Sequence, residues 1–361
     1  MFDGSISNRL RYQEPGTGIM SPIEYTFENS PETGEIRDIT PDIKWLRLPL
    51  PFLLNHINVW LLRDKNGWAL VDTGLFTRTT REVWDYVLRH HLNHEPITRI
   101  LVTHLHPDHV GCAGWMAERF GTGLWMSREE YLLCRVLVAD TGKPAPPAGL
   151  RFYTNAGFAH ESLERYAEHF GAFGSVVSPL PETYRRLQEG MSVRIGENDW
   201  EVIVGRGHSP EHACLFCREL NLLISGDQIL PTISSNVSVY PTEPSANPLA
   251  HWFDSLQKLK RVLPEDVLVL PAHGEPFTGA HVRLDQLTAE HEQGLVKLKK
   301  ICAEPRRALD VFPALFKSRI TDKNLIMATG EAISHLNYLL DLGEMTCWQD
   351  DGGVNWYQAG Q

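Results

Sequence analysis

The stretch THLHPDHVG, residues 103–111, holds three histidines and an aspartate within six positions: His104, His106, Asp108 and His109. Imidazole and carboxylate at that density make a metal-ligand set rather than an ordinary solvated turn. A hydrolytic centre built on it needs further donors, and three later segments offer one each. His208 ends the run EVIVGRG, Asp227 follows LLISG, and His273 follows VLVLPA. Each comes after an apolar run and directly after a glycine or alanine. Glycine there lets the chain turn tightly and bring the side chain to the mouth of a sheet. Seven donors suffice for two metal ions with positions left open for water, as two-metal hydrolysis requires.

Other reactive residue types carry weaker signals. His56, His90, His91, His94, His251 and His281 have no complementary partners nearby in the sequence and read as surface or satisfied packing residues. The cysteines at 112, 134, 214, 217, 302 and 347 include one C-x-x-C, Cys214 and Cys217, with no second pair to complete a structural zinc site. Three positions apart on a strand they face opposite sides, so reduced, buried thiols are expected.

The elements that must position the donors are legible as alternating strands and helices. Residues 1–40 are rich in Gly, Pro, Ser and Glu and read as an N-terminal arm. INVWLLRDKNGWALVDTGL reads as a hairpin through Asn66-Gly67, a type I′ signal. TREVWDYVLRHHL places Val83, Trp84, Val87, Leu88 and His91 on one helical face. ITRILVTH is a strand that ends in the histidine cluster, and GCAGWMAERFG a short helix. Ser127 and Glu130 form a capping-box signature for REEYLLCRVLVAD. TGKPAPPAG breaks that helix, and HESLERYAEHF forms another. Asn247-Pro248 caps LAHWFDSLQKLKRVL. Beyond about residue 285 three helical stretches precede a hairpin through Asp351-Gly352-Gly353, which suggests a winged-helix-like module. The division expected is an arm over 1–40, a body over 41–285 with a helical insertion at 127–187 near the site, and a C-terminal module over 286–361.

Composition narrows the partners. A formal net charge of −11 argues against a dedicated nucleic-acid binder. Locally, Lys297, Lys299, Lys300, Arg306, Arg307, Lys317, Arg319 and Lys323 face only Glu304, Asp310 and Asp322. A solvated helix face is the first reading of that stretch, a phosphate-bearing ligand the second. No run is long and apolar enough to span a bilayer, and MFDGSISNRL lacks a secretory pattern. A small-molecule substrate, a cytoplasmic location, no membrane association and possible homo-oligomers are therefore expected.

The segments LVDTG (70–74), THLHPDHVG, GHSPEH (207–212), SGDQIL (225–230) and PAHGEP (271–276) resemble the metallo-β-lactamase fold superfamily, in the order and spacing of its motifs. The resemblance implies an α/β fold, a four-layer αββα sandwich, here followed by the small helical module. It implies that His104, His106 and His208 bind a first zinc, that Asp108, His109 and His273 bind a second, and that Asp227 bridges. Iron or manganese are the alternative metals. A bridging water with its pKa brought toward about 7 would then attack a carbonyl, with Asp108 orienting it or accepting its proton. Asp72 and His212 are implied as hydrogen-bonding supports of the ligands. Tyr153 and Tyr240, in the insertion and in the loop after Asp227, are candidate substrate contacts.

The ligand set is shared by several activities. It resembles glyoxalase II, lactonases and phosphodiesterases. It departs from flavodiiron proteins, which have Glu at the place of His106, and from lactamases with cysteine in the region of Asp227. The helical tail resembles glyoxalase II-like hydrolases with a winged-helix-like module, some of which cleave thioesters and some single-stranded RNA. No general acid stands out beyond the metal shell, and a thiolate of pKa about 8.5 leaves without one more readily than an alkoxide or an amide nitrogen. Thioester hydrolysis, of coenzyme A or glutathione type, is the expected activity. A lactonase or β-lactamase-type hydrolase, a single-stranded RNA endonuclease and a mononuclear iron persulfide dioxygenase are the alternatives.

Overall fold

The computed structural model describes residues 23–52 and 54–360; most of the expected N-terminal arm, residues 1–22, lies outside them. The remainder of that arm is not loop alone. Glu24–Tyr25 pairs with Phe277–Thr278, and Ile36–Thr40 pairs with Ile43–Pro49, so both stretches are edge strands.

Two seven-stranded sheets form the body. The first runs, edge to edge, through Ile36–Thr40, Ile43–Pro49, His56–Asp64, Gly67–Val71, Ile97–Leu101, Leu124–Met126 and Arg185–Arg186. The second runs through Glu24–Tyr25, Phe277–Thr278, Leu268–Pro271, Leu222–Gly226, His212–Cys217, Asn198–Gly205 and Ser192–Ile195. Strand alternation explains why they stack. In His56–Asp64, Trp60 and Leu62 point into the inter-sheet core with Trp200, Val202 and Ile224, while Ile57, Val59 and Leu61 point outward. The outward face of the first sheet is covered by Trp84, Val87 and Leu88 of the helix Arg78–His90 and by Met116 of Ala113–Phe120. The outward face of the second is covered by Leu249, Trp252, Leu256 and Leu259 of Pro248–Val262. Helix, sheet, sheet, helix is the four-layer sandwich the sequence led us to expect, and a C-terminal helical region follows it.

That C-terminal region comprises Ala280–Ile301, Phe312–Leu315, Leu325–Asp341 and the hairpin Met345–Gln349 with Asn355–Ala359. It shares its core with the body: Leu284, Leu298, Leu336, Met345 and Tyr357 join one apolar cluster with Trp252 and Phe216. Among the described residues no helix is long and apolar enough to cross a membrane.

Three local expectations need correction. The first hairpin closes with Asp64 opposite Gly67, so its loop is Lys65-Asn66, and neither residue has positive φ. A type I′ turn is therefore absent. Gly67 is required for another reason, since a Cβ there would stand 2.1 Å from the Pro96 carbonyl oxygen. The capping box at Ser127 is not formed, because the Ser127 side chain makes no cap bond and Glu130 turns inward. Within the insertion, Pro147–Ala156 is a helix that the prolines and glycines of TGKPAPPAG concealed. Pro147 sits in its first turn, where no N–H is needed, and Gly149 lies where a Cβ would be 2.2 Å from the Tyr166 hydroxyl of the next helix, His160–His169. By contrast Asn247 does cap its helix, accepting from Ala250 N at 3.1 Å.

Candidate metal centre

All the candidate donors sit at or just beyond the C-terminal ends of strands. Asp72 leaves Gly67–Val71, His104 leaves Ile97–Leu101, and Asp108 and His109 lie in the short helix Pro107–Val110 that follows. His208, Asp227 and His273 leave Asn198–Gly205, Leu222–Gly226 and Leu268–Pro271. Two glycines make the turns possible. Gly207 has φ +106° and its missing Cβ leaves room for the Pro248 carbonyl, 2.7 Å away. Gly226 has φ +52°, and a Cβ there would lie 2.5 Å from the His212 ring.

The seven donors converge in two groups. One ligand atom from each of His104, His106, His208 and Asp227 lies within 4.8 Å of the others, and so do atoms of Asp108, His109 and His273. Asp227 faces both groups. Its Oδ2 lies 3.3 Å from His208 Nε2 and 3.9 Å from His104 Nε2, while its Oδ1 lies 3.5 Å from both His109 Nε2 and His273 Nε2. Asp108 Oδ2 is 3.3 Å from His273 Nε2 and 3.6 Å from His109 Nε2.

The rings are aimed by bonds on their far sides. His208 Nδ1 donates to Asn236 O at 2.7 Å and His273 Nδ1 to His56 O at 2.8 Å. Each Nε2 is therefore left with its lone pair pointing inward. Asp72, buried and strained at φ +61°, accepts from Thr103 N and from His109 Nδ1, both at 2.8 Å. It also accepts the Thr103 hydroxyl, whose oxygen in turn accepts from His104 Nδ1 at 3.0 Å. His212 stacks on His104 at 4.7 Å between ring centroids, and its Nε2 accepts from Asp227 N at 3.0 Å.

This donor set fits divalent cations. His104 and His208 face each other through Nε2 atoms 3.3 Å apart, and two imidazole lone pairs so placed repel unless a cation lies between. His109 Nε2 and Asp227 Oδ1 are buried without a hydrogen-bond partner. Donors each about 2 Å from a zinc ion would stand about 3.3 Å apart, close to the spacings seen. The electrostatics agree. Burial and the neighbouring histidines push His104 well down and His106 to about 3. Burial alone would lower His109, but Asp227, Asp108 and Asp72 outweigh it and raise that imidazole well above its ordinary value. Against burial, His109 and His273 hold Asp108 at about 2 and Asp227 well below the carboxylate range.

The two tyrosines differ. Tyr153 is only 3% exposed, its ring packed on Phe158 and Tyr166, which makes it part of an aromatic core wall. Tyr240 is 46% exposed, yet its hydroxyl is crowded enough for burial, aided by Glu130, to push it to about 12. Of the remaining histidines, His90, His94 and His251 are exposed, while His281 bonds to Leu263 O at 2.8 Å and His91 lies 3.4 Å from Glu35. His56 differs, since its backbone oxygen orients His273 and its Nε2 accepts from Gly274 N at 3.2 Å.

Four supporting residues had escaped the sequence reading. Asn58 crosses from the first sheet to donate to Pro271 O and Gly274 O, both at 2.9 Å, and so holds the His273 turn. Glu130, fully buried, accepts from Leu105 N at 2.9 Å, Ser209 Oγ at 2.6 Å and Glu211 N at 2.8 Å, tying the His104–His106 loop to the His208 loop. Its signal was a carboxylate on the apolar helix face of Tyr131 and Cys134. Asn236 holds His208, and Glu331 of the last helix accepts from Asn236 Nδ2 at 2.7 Å. Burial raises the Glu331 carboxyl to about 7, against the pull of Asn236 and His208.

Residues 54–273 match the model of the metallo-beta-lactamase superfamily, and residues 295–360 that of the metallo-beta-lactamase-like C-terminal domain. A beta-lactamase domain protein from Burkholderia ambifaria is 37% identical, with 94% of this chain and 98% of that chain covered and a TM-score of 0.86. A metallo-beta-lactamase family protein from Thermus thermophilus is 25% identical over 90% of this chain and 100% of that one, with a TM-score of 0.75. The hydroxyacylglutathione hydrolase GloC of Haemophilus influenzae is 23% identical over 179 residues, half of this chain and 69% of that protein. A sandwich whose strand ends gather seven metal-type donors is thus matched along the same residues by a family model, and the chain belongs to the metallo-beta-lactamase superfamily as a metal-dependent hydrolase.

Proposed function

We propose that this protein hydrolyses small acyl thioesters, of glutathione or coenzyme A type, with two zinc ions at the strand-end centre. The observation that carries the two-metal part is the placement of Asp227, one oxygen toward each donor group. Divalent ions bound there supply Lewis acidity toward a carbonyl and make hydroxide available near neutral pH. The chain does the rest. His208, His273 and His109 turn their Nε2 atoms inward because their Nδ1 protons are engaged elsewhere, and a bound cation would take the place of any proton there. Asp108, whose side chain is the most exposed of the second donor group at 21%, stays ionised and can orient the attacking water or take its proton at a carboxylate oxygen. In this reading the acyl group would pack against the exposed ring of Tyr240.

The thioester is favoured by leaving-group chemistry, since a thiolate departs without a strong proton donor, and by the likeness to a hydroxyacylglutathione hydrolase. Six unpaired cysteines, five of them buried, suit a reducing compartment such as the cytoplasm. The test is elemental analysis of freshly purified protein followed by a screen of thioesters, lactones and single-stranded RNA. About two zinc per chain and fastest turnover of thioesters are expected. One iron without zinc would turn the reading toward an oxygenase, and faster lactone or RNA turnover would replace the substrate.

A further inference from the structure

The loop after Asp227 is fastened to the last helix, Leu325–Asp341, by two hydrogen-bonded arms. In the first, His208 Nδ1 donates to Asn236 O at 2.7 Å, and Asn236 Nδ2 donates to Glu331 Oε2 at 2.7 Å. The second runs through buried histidines. His335 Nδ1 donates to Glu331 O at 2.8 Å, so its Nε2 is the acceptor that faces His291 Nδ1 at 3.1 Å. His291 Nε2 then accepts the Ser234 hydroxyl at 3.1 Å. The neighbouring Ser235 donates to the Asp227 carbonyl. Ligand atoms of His291, Glu331 and His335 lie within 4.8 Å of one another, but both inward imidazole lone pairs are used inside this chain of bonds. The cluster is a polar spine rather than a third metal site.

Glu331 belongs to both arms, through its carbonyl in one and its carboxylate in the other. We propose that Glu331 is a positioning residue for His208, acting through Asn236 to aim that imidazole at the metal centre; the inference rests on the two-metal reading above. The Asn236 carbonyl that receives the His208 proton is placed by its own side chain. That side chain is held by Glu331, by the Ser238 hydroxyl on its oxygen, and by a longer 3.4 Å contact to Met327 O. Close packing fixes the helix against the loop: Val239 N donates to Gly330 O at 3.0 Å, and a Cβ on Gly330 would lie 2.8 Å from Ser238. Without the carboxylate the Asn236 Nδ2 keeps only its longer contact to Met327 O, the Asn236 carbonyl is free to shift, and His208 Nε2 loses its aim.

The test is zinc affinity of the full-length chain, measured by competition with a chromophoric chelator, for wild type, Glu331→Ala and Glu331→Gln. Removal of such a supporting bond weakens metal binding by about tenfold to a hundredfold. Glu331→Ala should lose that factor for one of the two zinc equivalents, and Glu331→Gln, whose amide oxygen accepts the same bond, should stay close to wild type. Asn236→Ala removes the bond from its other end and should cost a similar factor, with the double variant no worse than either single one. Wild-type zinc affinity in Glu331→Ala overturns the proposal, and so does a Gln variant as weak as the Ala variant. A purely structural helix contact would lower only the melting temperature of the metal-free protein. Should Glu331→Ala fail to fold, Asn236→Ala decides, and wild-type affinity there overturns the proposal. A wild-type protein that takes up no zinc overturns the metal reading itself and this inference with it.

Discussion

At the scale of single residues the centre balances buried imidazoles against buried carboxylates. Asp227 touches both donor groups, so Asp227→Ala should lower zinc content below two per chain and bring hydrolysis to background while the fold persists. Full activity in that variant would remove the centre from the chemistry. His212→Ala leaves every donor in place but frees the Asp227 backbone N–H; a loss of about tenfold to a hundredfold is expected. The raised His109 and His273 and the lowered Asp108 and Asp227 give the metal-free protein a pH signature with two signs. A raised histidine contributes stability that is complete below its unfolded value near 6.5 and is lost as pH rises through its folded value. A lowered aspartate contributes stability that is present above about 4 and is lost as pH falls toward about 2. The metal-free melting temperature should therefore fall as pH rises beyond neutral, because the His109 value lies well above 6.5. Zinc requires those imidazoles unprotonated, so its affinity should rise over the same interval. Melting curves with and without zinc, from pH 6 to 9, check both; parallel curves would show that His109 does not carry the proton.

At the scale of elements, tight turns bring donors to the sheet ends, and that makes the glycines before them testable. Gly207→Ala places a Cβ 2.7 Å from backbone Pro248 O at φ +106°, a position where neither partner can yield cheaply. Destabilisation of about 3 kcal/mol is expected, with weaker zinc binding through His208; denaturant titration reads the first and chelator competition the second. These turns were legible in the sequence because an apolar run, a small residue and a donor follow one another in contiguous text. The alternating strands and the Asn247 cap were legible for the same reason, each being a local pattern. What escaped was non-local or ambiguous. The helix Pro147–Ala156 was concealed by residues that usually break helices, although Pro147 suits a first turn and Gly149 suits close packing on Tyr166. Glu130 fitted a capping box by spacing, and only three donors from two distant loops explain its burial. Gly67 fitted a turn, whereas the Pro96 carbonyl across the sheet is what demands it. Asn58 reaches Pro271 across 213 residues, Glu331 reaches Asn236 across 95 and Asn236 reaches His208 across 28, distances over which one sequence carries no pairing signal.

At the scale of the whole molecule, charge separates the proposed thioesterase from a nuclease built on the same centre. The chain carries −11 overall, and its basic stretch is partly neutralised. Lys299 pairs with Glu344 at 2.7 Å and Arg307 with Asp310 at 2.8 Å, while Lys297 and Lys300 point to solvent beside the buried Leu298. Both reactions would use the same metal ligands, so ligand variants cannot distinguish them, but the number of phosphates engaged can. A protein that holds a single strand through about five phosphates loses about a hundredfold in affinity between 50 and 200 mM salt. A glutathione thioester carries no phosphate, and an acyl-coenzyme A only a few. Turnover of the former should therefore be nearly flat across that salt range and unchanged by the double variant Lys297→Glu, Lys300→Glu. If coenzyme A is the carrier, the same double variant should raise KM for its thioester several-fold with little change in kcat, because the phosphates lie away from the reacting carbonyl. Metal-dependent cleavage of single-stranded RNA faster than any thioester, with a steep loss on adding salt, would overturn the small-molecule reading and recast this solvent-facing stretch as a strand-binding surface.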